Sequence, residues 1–151
     1  MLPAVELFDK TKDAVEATLK KLGIDPTQAQ VKKTDDQVSY TLMRGSASVL
    51  VTVVHRPEQK AVFIRVASPV LVPAEDKQEA LFKRLLELNA AGLANAAFGL
   101  LGGKVVAVSE RPAEGLDPSE VEQMIRHLSA VADTYDDRLV KEFGGKRASD
   151  K

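Results

Sequence analysis

The sequence predicts an α+β fold, an antiparallel sheet interleaved with helices in the order αβββαββα. Three observations carry that expectation. Apolar residues recur with helical spacing over residues 3–22, between Pro73 and Gly92, and from Pro118 to about Phe143. Between the first two stretches the period drops from 3.6 to 2. A Gly102-Gly103 pair then sits between two apolar runs, the pattern of a tight hairpin.

The first helix opens at Pro3, where a missing N–H costs nothing, and places Val5, Phe8, Val15, Leu19 and Leu22 on one face. Gly23 ends it, with Ile24 folding back on the last turn and Asp25-Pro26 forbidding continuation. From Gln37 the alternation of Val38, Tyr40 and Leu42 with Ser39, Thr41 and Met43 reads as a half-buried strand. Arg44-Gly45-Ser46 is the turn into a second strand, Ala47 to Val54, and Pro57 closes a second hairpin into a third, Ala61 to Ala67. Residues 68–73 hold two prolines and read as an extended apolar connector, because proline blocks both helix and ladder pairing. Asp76 and Glu79 have capping-box spacing for the second helix, whose stripe is Leu81, Leu85 and Leu88, widened by Phe82 and Leu86. Residues 94–101 and 104–108 are the hairpin arms, and Arg111 to Gly115 is a loop.

Leu116-Asp117-Pro118-Ser119-Glu120 is a complete helix start, with an Asp cap, Pro in the first turn and Glu at the third position. The stripe Val121, Met124, Ile125, Leu128, Ala132, Tyr135, Leu139 and Phe143 follows, and Gly144-Gly145 stops it. At 1.5 Å per residue this helix is roughly 40 Å long, more than a 16.3 kDa core needs. That leaves part of it to contact another chain, and the expectation is one α+β domain over residues 1–143 with a disordered tail over 144–151.

Bulk chemistry excludes several functions. A formal charge of −1 gives no cationic field for phosphates, so nucleic acid is not an expected partner. There are no cysteines, which removes disulfides, thiolate metal sites and cysteine nucleophiles. The first residues carry acid early and do not read as a signal peptide, and no run approaches 18 apolar residues, so no membrane span is expected and a cytoplasmic location is the default.

No catalytic constellation emerges, and no catalytic, cofactor or metal residue is assigned. His55 and His127 lie in different elements, too few for a metal centre of three or four ligands, and read as surface groups. Gly99-Leu-Leu-Gly102-Gly103-Lys104 lacks the spacing and the Ser or Thr of a phosphate loop. Asp133 and Asp137 share a helix face beside Asp136 and Arg138, the one place where an acid–base pair or cation is conceivable against the plainer reading of a solvated face.

The informative anomaly is an excess of apolar residues. In the Gly102-Gly103 hairpin, Phe98, Leu100, Val105 and Ala107 share one face, and Ala97, Leu101, Val106 and Val108 the other. A one-sided antiparallel sheet alternates apolar with polar residues, so both faces here call for cover. Leu50, Val54 and Phe63 raise the same demand on the first three strands. Either helices of this chain supply the cover or another chain does. The candidate partner or dimer interface is accordingly Leu50, Val54, Phe63, Leu88, Phe98, Leu100, Val106 and Val108.

Leu85-Leu86-Glu87-Leu88-Asn89, then Phe98, Gly102-Gly103, Val105-Val106, Leu116-Asp117-Pro118-Ser119-Glu120 and Ala132-Asp133 resemble the YbjN-like family, which is similar in fold to type III secretion chaperones. The likeness covers roughly residues 35–143 by pattern, and the order of elements agrees over the whole chain. It implies a small α+β sandwich, usually a homodimer, with no enzymatic activity and no cofactor. The implied work is to hold an extended segment of a partner protein on apolar sheet surface, or to make a regulatory interaction. The second helix and the following hairpin are the implied dimer elements. The secretion chaperones are distinctly acidic and this chain is nearly neutral, which favours a general chaperone-like or regulatory role over effector export. The alternative is a small-molecule-sensing regulatory domain with a pocket between sheet and helices.

Overall fold

In chain order the elements are α1 (Ala4–Lys21), α2 (Pro26–Ala29), β1 (Gln30–Lys33), β2 (Gln37–Arg44), β3 (Ala47–Arg56), β4 (Ala61–Val72), α3 (Gln78–Ala91), β5 (Ala97–Leu101), β6 (Lys104–Pro112), α4 (Pro118–Phe143) and β7 (Lys146–Arg147). They come from a computed structural model that describes residues 2–150. The strands form an antiparallel sheet in the order β1-β2-β3-β4-β6-β5, with β7 pairing β4 off that path. The expected αβββαββα order is present, with α2, β1 and β7 added.

The chain groups into two compact units, each discontinuous in sequence. The first holds the chain up to Leu42 with Leu50–Val66 and Glu110–Arg126. Its buried apolar residues include Val15 and Leu19 of α1, Val38 and Tyr40 of β2, Val51 and Val53 of β3, Val62 and Ile64 of β4, and Val121 and Ile125 of α4. The second holds Met43–Val49, Ala67–Ser109 and the chain from His127 onward. There the buried residues include Leu81, Leu85 and Leu88 of α3, Phe98, Val105, and Leu128, Leu139 and Phe143 of α4.

In the first unit α1 buries Thr11, Val15, Thr18 and Leu19, and Val5 points outward, against expectation. The two threonines tolerate burial because their hydroxyls donate back to the carbonyls of Leu7 (2.7 Å) and Ala14 (2.9 Å). No element was expected between Pro26 and Lys33. Asp25 caps α2 by accepting from the Thr27 N–H (2.9 Å), and β1 then pairs β2 with a bulge between Gln30 and Lys32. The start of α4 is as read: Asp117 accepts from the Ser119 N–H and hydroxyl, and Glu120 reaches back to the Asp117 N–H.

Four further expectations fail. Residues 68–72 are strand, not connector, and β4 runs through Pro69. The Ser68 hydroxyl donates to the Ser48 carbonyl (2.8 Å), offering that β3 acceptor a donor beside a proline that has none. The Asp76–Glu79 capping box does not form. A 3-10 turn over Glu75–Lys77 comes first, and α3 opens after Lys77 with no side-chain cap. Arg111 and Pro112 belong to β6, not to a loop.

The tail is not disordered at its start. Lys146 and Arg147 pair Val72 and Leu71, and the Ala148 N–H donates to the Val70 carbonyl (3.0 Å). Gly145 makes this possible: at φ +82° it passes so near β4 that a Cβ there would lie 2.3 Å from the Val72 carbonyl oxygen. Lys151 lies outside the described residues. The hairpin itself is as expected, Leu101 facing Lys104 across Gly102-Gly103, both at positive φ as a type I′ turn requires.

Candidate functional site

In the first unit, β3 turns Val51 and Val53 into the core, so strand alternation puts Leu50, Thr52, Val54 and Arg56 on the opposite face. Leu50 is 40% exposed there, Val54 and Phe63 are half-buried, and the Ser39 and Thr52 hydroxyls bond each other at 3.0 Å. Arg56 lies over the Phe63 ring, 4.6 Å from its centroid, and donates to Glu110 at 2.7 Å; Arg65 stands 3.8 Å from the same carboxylate. The result is an apolar strip with a charged border.

In the second unit the apolar excess concentrates at the hairpin. The register Phe98↔Ala107 and Leu100↔Val105 confirms which residues share a face. Asn89, near the end of α3, donates to the Phe98 carbonyl (3.1 Å) and accepts the Phe98 N–H (2.8 Å). Its amide thereby occupies both outward backbone groups of Phe98 on the edge strand β5, where a further strand would pair. The Phe98 ring meets Tyr135 edge-on at 5.4 Å. Towards the tip cover ends: Leu100 and Leu101 are 53% and 63% exposed, and Leu86 on α3 is 69% exposed.

Of the eight interface candidates, then, Leu50 and Leu100 are open, Val54, Phe63 and Val108 are half-buried, and Leu88, Phe98 and Val106 are buried within this chain. The last three contribute to folding and offer no free surface. Leu86 and Leu101, both exposed, were not singled out as interface residues although they sit in the same apolar runs, and neither was exposed Met43 of β2.

Neither histidine is a free surface group. His55 Nδ1 lies 3.1 Å from Asp36, and the His127 Nε2–H donates to the Leu93 carbonyl at 2.6 Å, tying α4 to the segment after α3. The α4 acids are also engaged. The Ser46 hydroxyl is shared between Asp133 and buried Asp136, 2.5 Å from each, and the Ser46 N–H donates to Asp133 at 3.0 Å. Asp137 pairs with Arg147 at 3.4 Å. These carboxylates grip the β2–β3 turn and the β7 segment, and the Ser46 hydroxyl holds Asp133 below the usual carboxylate range. Among the described residues no group of three or more His, Cys, Asp or Glu side chains is arranged to hold a metal. Tyr40 donates to Glu16; burial, then that bond, push the phenol far above its ordinary range. Burial pushes Glu16 up, but Tyr40 and Lys12 outweigh it and hold the carboxylate low.

A cavity of about 820 Å³ lies between α1 and residues 113–118, lined by Leu2, Leu7, Ala14, Leu116 and Pro118 with Lys10, Asp13, Glu114 and Asp117 among its walls. A smaller one, about 420 Å³, shares Leu2, Leu7 and Glu114 and adds His55 and Lys60. Sequence reasoning missed both. Leu7 falls between Val5 and Phe8 and was left off the helix's apolar face; its signal was a leucine with no place in the stripe.

A family model described as "T3SS (YopN, CesT) and YbjN peptide-binding chaperone 1", TY-Chap1, matches residues 9–151. The chain belongs to this family. Solved structures carry the same fold. The ExsC–ExsE complex aligns with a TM-score of 0.63 at 17% identity, covering 87% of this chain and 94% of that one. The HopA1–SchA chaperone–effector complex gives 0.57 at 18%, over 87% and 94%. The heterodimeric ExoU–SpcU complex from the type III secretion system of Pseudomonas aeruginosa gives 0.55 at 13%, over 85% and 96%. No curated protein matches this TY-Chap1 chain by sequence. Among its described residues no helix is long and apolar enough to cross a membrane.

Proposed function

We propose that this TY-Chap1 chain is a non-enzymatic, cytoplasmic binding module that holds an extended apolar segment of a partner protein on the open sheet face of its first unit. The observation that carries the reading is Leu50, 40% exposed on a strand whose opposite face buries Val51 and Val53, flanked by half-buried Val54 and Phe63. The Arg56–Glu110–Arg65 border gives that strip the apolar centre and polar rim of a protein-recognition surface. Two copies associate through α3 and the β5–β6 hairpin, where Leu86, Leu100 and Leu101 stand in water. Asn89 closes the β5 edge at Phe98 and leaves it open towards Leu100.

The test separates the two surfaces. Light scattering across a concentration series is expected to give a dimer mass for the natural chain and a monomer for the Leu100→Ser/Leu101→Ser pair, with unchanged circular dichroism. Leu50→Asp is expected to keep the dimer and lose the partner. A natural chain that stays monomeric at high concentration rejects the dimer, and a Leu50→Asp chain that still captures its partner rejects the sheet face.

A further inference from the structure

The larger cavity in the first unit has a wall chemistry of its own. Leu7, Leu116 and Pro118 give it an apolar floor. Three carboxylates, Asp13, Glu114 and Asp117, stand around it against one ammonium, Lys10. Asp13 and Glu114 are exposed and make no ion pair or hydrogen bond among the described residues. Asp117 is held ionised by the Ser119 hydroxyl and N–H. The neighbouring cavity shares Glu114 and adds Lys60, so the carboxylates outnumber the ammonium only in the larger one.

Leu2 and Leu7 precede residue 9, where the family match begins, so part of the wall comes from outside the shared pattern. Greasy walls with uncompensated acids call for an occupant that is apolar and cationic at once, because a carboxylate facing no partner attracts a charge of opposite sign at little desolvation cost.

We propose that this groove docks an apolar segment bearing lysine or arginine from a partner polypeptide, the cation lying over Asp13, Glu114 and Asp117. The proposal rests on the reading above only for the class of partner. A peptide carrying an acid in place of the cation meets like charge at these carboxylates and is turned away.

The test uses the full-length chain, isotope-labelled, titrated with two end-blocked synthetic decapeptides. They share the same leucines and differ only in carrying lysine or glutamate between them. The lysine peptide is expected to shift the amide resonances of Leu7, Glu114 and Leu116, and the glutamate peptide to leave them still. Asp13→Lys with Glu114→Lys, both at exposed positions, is expected to weaken the lysine peptide about tenfold and to leave the far-ultraviolet spectrum unchanged. Equal binding of the two peptides overturns the proposal. So do shifts that fall outside the groove, an affinity indifferent to the double reversal, or no binding by millimolar peptide. If these fail while Leu50→Asp still abolishes partner capture, the groove is rejected and the sheet-face reading stands.

Discussion

Asn89→Ala removes a side chain that behaves like a one-residue strand. Its amide holds the Phe98 N–H at 2.8 Å and the Phe98 carbonyl at 3.1 Å, both on the open edge of β5. Each such bond contributes about 1 kcal/mol net, and an edge amide left half-covered adds to the loss, so about 2 kcal/mol is expected. For a chain of 151 residues, a kilocalorie moves the melting temperature by roughly 2–4 °C, giving a drop of roughly 4–8 °C. Calorimetry reads the total, and hydrogen exchange at the Phe98 amide reads the place. Asn89→Asp keeps the acceptor for the Phe98 N–H and loses the donor to its carbonyl, so it falls between the two. Because the freed edge can pair with another strand, the alanine variant also aggregates sooner. An alanine variant that melts within 1 °C of the natural chain, with Phe98 exchange unchanged, refutes the idea that this side chain guards the edge.

Gly145→Ala forces a Cβ to within 2.3 Å of the Val72 carbonyl at φ +82°, so β7 leaves β4; the Ala148 amide, bonded to Val70, then exchanges at the rate of free chain. Leu88→Asp puts an unpaired charge on a position only 7% exposed inside its own chain, so the expected result is loss of folding, several kcal/mol, seen as a collapsed urea midpoint and not as a clean monomer. Glu16 and Asp133 are both held below the ordinary carboxylate range, so the native state binds fewer protons there than the unfolded chain does. That stability is present at neutral pH and is lost as pH falls from about 4 downward. Ser46→Ala strips Asp133 of its hydroxyl donor, so urea midpoints measured between pH 7 and 3 should fall less steeply for this variant.

The elements legible in the sequence were those whose signal is local. A strict period of two gave β2 and β3, a Gly-Gly pair between apolar runs gave the β5–β6 turn, and Asp-Pro-Ser-Glu gave the start of α4. The errors arose where a distant partner overruled a local rule. Pro69 says "no strand" until Ser68 supplies a donor to Ser48, twenty residues away in sequence. Lys146 and Arg147 look like a tail until Gly145 lets them reach Val72. The candidate site divides the same way. Apolar excess marked Leu50 and Leu100, which are exposed, but periodicity cannot tell an exposed apolar residue from one that its own chain buries, so Leu88, Phe98 and Val106 were marked too. The α4 acids needed Ser46 to become intelligible, and the groove beside α1 needed a loop a hundred residues further on.

The most direct test of the account places the photo-crosslinker p-benzoylphenylalanine at position 50 in the living source cell, with the same group at exposed Lys83 as control. The account predicts that position 50 captures a partner polypeptide, that the cross-link maps to one contiguous apolar segment, and that adding Val54→Asp abolishes it without altering the melt. Capture of nothing but a second copy of the chain, or the same products from position 83, contradicts it.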